Sequence, residues 1–426
     1  MKKLFDFFQE KLMDGFVAVG ENKYMQAIRN GMMMILPFII VGSLFTIISS
    51  FPFKWWTNLI EPYVKYFNVG YDLTFGMIGI IATLSIAYNL AKALKIDAIG
   101  TAITALVGFL ILQVAPPDLK INTANFGASG LFTAIIVALL SAKVIEFFVK
   151  KRITIKLPTG VPSYVSDSFT ILIPSFTLII GFWLIRVPLN FDINALIAKM
   201  ISPLVFGLDT LPGVLVLIFF TLLLWICGIN GDSIFGGIYY PVMLGFLAEN
   251  AEANAAGEAV PHVIADGLYY FGMWFGGTGG TIGLVLLMLF SKSKTYRSLG
   301  KICLPPGIFC INEPLVFGFP IMLNPIIMIP YILTPMILVT ITYFLMSFGI
   351  IGRPIVSVPW TTPPIFSGFL VTGGDWRAAV WQAIELVLSV LIYFPFFKVA
   401  ERVKMKEEKE LEQNESHLEG QIANEI

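Results

Sequence analysis

PGVLVLIFFTLLLWICGINGD, Pro212 to Asp232, opens with an uncharged stretch over 212–229 and then meets asparagine, glycine and aspartate at once. At 1.5 Å per residue such a stretch reaches about 27 Å as a helix, close to the roughly 30 Å of a bilayer's hydrocarbon. A helix apolar on every side belongs in lipid or in a deep core. Its end is open: Gly-Ile-Asn-Gly reads as a helix stop with a turn, and Asp232 or Ser233 as the cap of a new helix. One segment therefore predicts both a membrane-crossing helix and an interruption at its end.

The rest of the chain extends the first conclusion. Of 426 residues, 57% are hydrophobic and 13% charged, against roughly 25% charged in soluble domains. Long apolar spans run over about 26–50, 71–92, 97–115, 129–149, 169–189, 212–229, 267–290, 325–349 and 377–397. Three further segments, 230–255, 298–320 and 355–374, are apolar but carry Gly, Pro and polar residues, and are expected to be hairpins or discontinuous helices. The fold class is thus an all-α polytopic membrane protein. A formal net charge of zero, with basic residues set beside apolar spans, argues against a nucleic-acid binder. Cys227, Cys303 and Cys310 lack metal or redox spacing and read as small buried thiols, so no metal or cofactor is expected.

Basic residues set the orientation. Clusters at Lys2, Lys3, Lys11, Lys23 and Arg29, at Lys92 and Lys95, and at Lys150, Lys151, Arg152 and Lys156 alternate with sparsely charged loops, which puts the N-terminus in the cytoplasm. The start of the tail, with Arg402, Lys404, Lys406 and Lys409, is basic too, so an even number of crossings is required. Nine spans plus one crossing within 230–255 give ten. The N-terminal segment, with Leu4, Phe8, Leu12 and Phe16 every four residues, reads as an amphipathic surface helix and not as a cleavable signal. Nine of the 25 prolines precede residue 201 and sixteen follow it. Irregular backbone persists at membrane depth only inside protein or along an aqueous cavity. Residues 1–200 are accordingly expected to form a five-helix scaffold, 201–400 the part holding a site, and 401–426 a polar, solvated cytoplasmic tail.

Within 201–400, INEPLVFGFP at 311–320 holds the sharpest signal. An ionised Glu313 at membrane depth costs several kcal/mol unless it faces a cavity or a partner. Asn312 adds amide donors and an acceptor, Pro314 a bend, and Pro305–Pro306 a break upstream. A carboxylate, an amide and open backbone suit sugar hydroxyls, which both donate and accept. The alternative is a structural ion pair with Lys301 or Arg297. In WICGINGDSIFGG, 225–237, Trp225 offers an aromatic face and Asn230 and Asp232 polar groups, although Asp232 and Ser233 serve equally as plain caps. In SVPWTTPPIFSGFLVTGGDW, 357–376, Trp360 with Thr361 and Thr362 again pairs a stacking surface with hydroxyls, unless the segment is only a bend. GGTGGTIGL at 276–284 lacks the Lys-Ser/Thr of a phosphate loop and reads as small residues for close helix packing. Glu146 has Lys150 four residues on as a surface partner, Glu385 has no evident role, and His262 lies in what looks like a solvent-facing loop.

Taken together, IKLPTGVPSYVSDSF, WICGINGD, GGTGGTIGL, LPPGIFCINEPLVFGFPIMLNP and VPWTTPPIFSGFLVTGGDWR resemble the lactose/cellobiose/diacetylchitobiose family of phosphotransferase-system enzyme IIC permeases, over essentially the whole chain. The resemblance implies a homodimer of ten-helix protomers with re-entrant hairpins in the C-terminal half, the first five spans forming the dimer scaffold. It also implies a disaccharide held near mid-membrane and carried inward by an elevator-like shift. Phosphorylation at the 6-hydroxyl then falls to phospho-IIB, charged in turn by IIA, both supplied in trans to the bacterial inner membrane. By the family pattern Glu313 and Asn312 bind the sugar, and Glu313 orients or deprotonates the accepting hydroxyl. Asn230 stands where many members carry histidine, which removes a titratable group from the pattern. Two other classes remain at this stage: an ion-coupled secondary transporter using Glu313 and Asp232, and a membrane-embedded enzyme or sensor. The lack of a recognisable nucleophile counts against the last.

Overall fold

The computed structural model describes residues 22–50, 54–116, 118–155, 169–228, 230–319, 321 and 324–425. The amphipathic segment expected at the N-terminus and most of the 151–168 loop lie outside them. Four described helices are long and apolar enough to cross a membrane, or up to five if Ile193–Leu208 and Leu211–Ile226 form one bent span. The chain divides into two compact units.

The first unit takes Met1–Val214, Asp232–Asp266 and Arg353–Ser357. Its helices are α1 (Lys23–Ser50), α2 (Lys54–Ile60), α3 (Val64–Asp72), α4 (Ile78–Leu94), α5 (Ala98–Leu112), α6 (Leu131–Lys150), α7 (Leu172–Arg186), α8 (Ile193–Leu208) and nearly all of α10 (Gly231–Ala255). α4 is the centre of the bundle, packing on α1, α5 and α6. Gly31 lets α1 approach closely, since a Cβ there would stand 2.8 Å from the Ile86 Cα. Asp97 starts α5 by accepting from the Ile99 and Gly100 N–H groups, and Lys95 ends α4 in the left-handed region at φ 58°. A two-residue antiparallel ladder, Val114 opposite Ile121, closes the turn after α5. Glu146 pairs with Lys150 at 2.6 Å as its spacing predicts, and with Lys143 at 2.8 Å as well.

The second unit takes Leu215–Gly231, Gly267–Gly352 and Val358–Ile426. It contains most of α9 (Leu211–Ile226), then α11 (Ile282–Leu289), α12 (Lys294–Ile308), α13 (Glu313–Gly318), α14 (Pro325–Ser347), α15 (Phe366–Val371) and α16 (Trp376–Glu425). α16 is the spine, against which α11, α14 and α15 pack. Glu385 on it is fully buried, with its Oε1 2.9 Å from the Thr342 hydroxyl of α14.

Four expectations are corrected. Within 230–255, Gly231–Ala255 form one helix that runs through Pro241, not a broken segment; the proline lacks one ladder N–H but does not end the helix. Gly237 in it serves packing: a Cβ there would stand 3.0 Å from the Met25 carbonyl oxygen. Residues 267–290 are not a continuous span. Gly267, Gly272, Gly276, Gly277, Gly279 and Gly280 all adopt positive φ, which no right-handed helix accommodates, and only Ile282–Leu289 is α-helical. This irregular stretch is buried almost throughout. Pro305 and Pro306 do not break α12; the helix runs through them and the chain turns at Cys310, φ 61°. The stretch after 400 is not simply a solvated tail, for α16 continues through it and Glu401 is buried.

Candidate functional site

Trp225, Asn230, Asn312, Glu313, Trp360, Thr361 and Thr362 all fall in the second unit, whereas Asp232 falls in the first, in the opening turn of α10. The backbone that carries Asn312 is fixed at both ends. At the start of α12, Glu408 of α16 accepts from the Ser293 hydroxyl at 2.7 Å and the Thr295 N–H at 2.9 Å. Glu401 likewise accepts from the Ser291 hydroxyl and the Lys292 N–H, both at 2.7 Å. Carboxylates suit this end of a helix, where unpaired N–H groups and the dipole are both positive. At the far end the Asn312 carbonyl accepts from the Leu315 and Val316 N–H groups, each at 2.9 Å, and so begins α13 at Glu313. Pro314 occupies the first turn, where its missing N–H costs nothing.

The Asn312 side chain is buried, and its Nδ2 donates to the Thr278 carbonyl at 2.7 Å and the Thr281 hydroxyl at 3.0 Å. Both amide hydrogens are thereby committed to protein, which leaves Oδ1 as the atom Asn312 has to offer a ligand. The glycine-rich loop makes room for this: Gly277 sits at φ 101°, and a Cβ there would stand 2.5 Å from the Asn312 Cβ and 2.7 Å from Nδ2. From the other side the Cys310 thiol contacts the Thr362 carbonyl at 3.5 Å. The Thr362 N–H and hydroxyl in turn both donate to the Pro359 carbonyl, at 2.8 and 2.7 Å, which folds PWTT into a tight turn. The three irregular segments 276–281, 309–313 and 359–362 are thus bonded into one cluster.

Trp360 is 43% exposed on that turn and Thr361 is half-buried, while Trp225 is 7% exposed. Asn230 is exposed after Gly228 at φ 84°, and Gly231 folds so closely onto α9 that a Cβ would collide with the Thr221 backbone. The Glu313 side chain lies outside the described atoms, and its place here is that of its backbone. Among the described residues no group of three or more His, Cys, Asp or Glu could hold a metal ion.

Thr278, Thr281 and Gly277 were not among the expected site residues. Their signal was present as threonines spaced between glycines, a pattern that serves turns with polar handles as readily as helix packing. His262 is also more than a solvent-facing loop residue: its Nδ1 lies 3.0 Å from Asp209 and its Nε2 2.7 Å from Glu249.

The sequence of the "Phosphotransferase system, EIIC" family is matched over residues 29–335. The lichenan permease IIC component of Bacillus subtilis (strain 168) is 36% identical, over 97% of this chain and 97% of its own length. The cellobiose-specific EIIC component of Geobacillus stearothermophilus is 33% identical, over 96% of this chain and 97% of its own. Among solved structures, the transporter ChbC, the IIC component from the N,N'-diacetylchitobiose-specific phosphotransferase system, superposes with a TM-score of 0.89 at 34% identity, covering 95% of this chain and 99% of that one. None of these supports the ion-coupled alternative. A helical chain with long apolar spans, a second unit built on broken backbone, and matches running nearly end to end have one reading: the chain belongs to the phosphotransferase-system EIIC family, the membrane-embedded permease components of sugar uptake.

Proposed function

We propose that the chain carries a β-linked disaccharide, of the cellobiose or diacetylchitobiose type, across the bacterial inner membrane while phospho-IIB phosphorylates its 6-hydroxyl. The observation that carries this reading is the cluster in which Asn312 is clamped by Thr278 and Thr281 and Cys310 meets Thr362. It brings open backbone, an amide oxygen and a half-exposed indole into one unit beside the backbone of Glu313. In this reading Asn312 Oδ1 and Glu313 bind hydroxyls, and Glu313 also orients or deprotonates the one that accepts phosphate. Trp360 stacks on a pyranose ring with Thr361 and Thr362 as polar neighbours. Trp225 and Asn230, in the same unit, complete the sugar environment. The protein works as a homodimer with ten crossings per protomer, 230–255 supplying the tenth, hairpins in the second half, and both termini in the cytoplasm. The first unit, which holds residues 1–200, forms the scaffold, and the second unit, which holds most of 201–400, is the part that shifts in an elevator-like motion.

Vesicles loaded with IIA, IIB and phosphoenolpyruvate-driven phosphoryl donors test this directly. Phosphorylated cellobiose should accumulate inside only when the soluble partners are present; free sugar accumulating on an ion gradient would overturn the reading. Replacing Trp360 by alanine should weaken disaccharide binding about fivefold to tenfold, the worth of one aromatic contact. Titration calorimetry on purified protein reads that loss, and a variant that instead unfolds would mark the segment as a structural bend.

A further inference from the structure

His262 has two nitrogens and both face carboxylates, Nδ1 toward Asp209 at 3.0 Å and Nε2 toward Glu249 at 2.7 Å. A neutral imidazole would turn a lone pair on one of these oxygens, whereas an imidazolium donates to both. The ring also stacks on Phe246 of α10, with centroids 4.3 Å apart and planes 22° from parallel. Its backbone is held as well. Asn250, fully buried on α10, accepts from the His262 N–H at 2.8 Å and donates from Nδ2 to the carbonyls of His262 and Pro354, each at 2.8 Å.

These bonds lie inside the first unit, at the places where the chain leaves it. The chain enters the first unit at Asp232, in the first turn of α10, and at Arg353, and leaves it after Val214, after Asp266 and after Ser357. Asp209 stands five residues before the first of these exits and His262 four before the second. The third is tied in through Pro354, through Arg353, which donates to the Val260 and Pro261 carbonyls at 2.6 and 2.8 Å, and through Ser357, whose hydroxyl donates to Asp266 at 2.9 Å. α10 is thus a post to which all three stretches are fastened, and His262 is the charged pin.

We propose that His262 is a positioning residue for translocation: bridging Asp209 and Glu249, it latches the roots of the inter-unit segments and so favours one of the states between which the units move, without touching the sugar. The inference rests on the reading that one unit shifts against the other. Burial pushes the imidazolium down, but the hydrogen bonds and charges of Asp209 and Glu249 outweigh it and raise the pKa from 6.5 to about 9. A pKa raised on folding gives a contribution that is full below about 6.5 and fades as pH rises through about 9. The charged groups facing the ring are Asp209 from the turn after α8 and Glu249 from α10; Arg353, from the third exit, bonds to the two carbonyls just before it.

Spin labels on Leu189→Cys in the first unit and Phe348→Cys in the second, both highly exposed positions, report the inter-unit distance distribution by pulsed electron resonance. In the unsubstituted latch, raising the pH above about 9 should deplete the population dominant at neutral pH. His262→Gln should deplete it already at neutral pH, by about tenfold or more, and remove the pH response. Asp209→Asn should do the same in part, and His262→Arg, a cation with donors for two carboxylates, should restore the neutral-pH distribution without the pH response. Distances that respond to cellobiose but are identical in His262→Gln and the parent at both pH values would overturn the latch. Distances that ignore cellobiose in every variant would overturn the moving-unit reading, and the latch with it.

Discussion

Replacing Glu313 by glutamine should weaken disaccharide binding by about 10- to 150-fold, the worth of one hydrogen bond to a charged group, while membrane insertion and yield stay normal. Glutamine keeps the volume and one acceptor oxygen but loses the charge. A hydroxyl that donated to a carboxylate then donates to a weaker neutral acceptor. Phosphorylation should suffer further: if Glu313 orients or deprotonates the accepting hydroxyl, general-base loss takes about another 100- to 10,000-fold from the coupled rate. The two losses separate experimentally. Calorimetry with cellobiose and with diacetylchitobiose reads the first, and vesicle phosphorylation at saturating sugar reads the second. An unchanged affinity would remove Glu313 from the site. An unchanged saturated rate with weakened affinity would leave it as a ligand only.

That prediction depends on a residue that the sequence singles out as an ionisable group in an apolar stretch; other features of the fold were less legible there. The helical character of uncharged runs such as 212–229 was legible, and Leu211–Ile226 is helix, because in hydrocarbon only helices and closed barrels satisfy the backbone's hydrogen bonds. What could not be read was which glycines and prolines break a helix. Gly237 and Gly277 are the same residue, yet one packs beneath Met25 inside a continuous helix and the other sits at φ 101° against Asn312. The difference is set by partners distant in sequence, not by the local pattern. Pro305 and Pro306 looked like the break, but α12 absorbs both near its end and the turn falls at Cys310. His262 fails for the same reason: its two carboxylates are 53 and 13 residues away, beyond any local spacing rule. The sequence likewise held Asn312 as a ligand without showing that Thr278 and Thr281 already take its donors.

The Gly277→Ala substitution measures how much of the site depends on that clamp. Two costs arise together. An alanine at φ 101° is strained by about 1–3 kcal/mol, whatever surrounds it. Its Cβ would also stand 2.5 Å from the Asn312 Cβ, so Asn312 must move and lose its bonds to Thr278 and Thr281, at about 1 kcal/mol each. Gly349→Ala separates the two. Gly349 lies in the same unit at φ 69°, with nothing within 4 Å of its would-be Cβ, so it bears the strain alone. Both variants should lower the apparent unfolding temperature in detergent, Gly277→Ala the further, and only Gly277→Ala should lose disaccharide affinity. Equal loss of affinity in both would mean that general destabilisation, and not the position of Asn312, governs binding. Lower stability in Gly277→Ala with full affinity would mean that Asn312 holds the cluster together but does not present Oδ1 to the sugar.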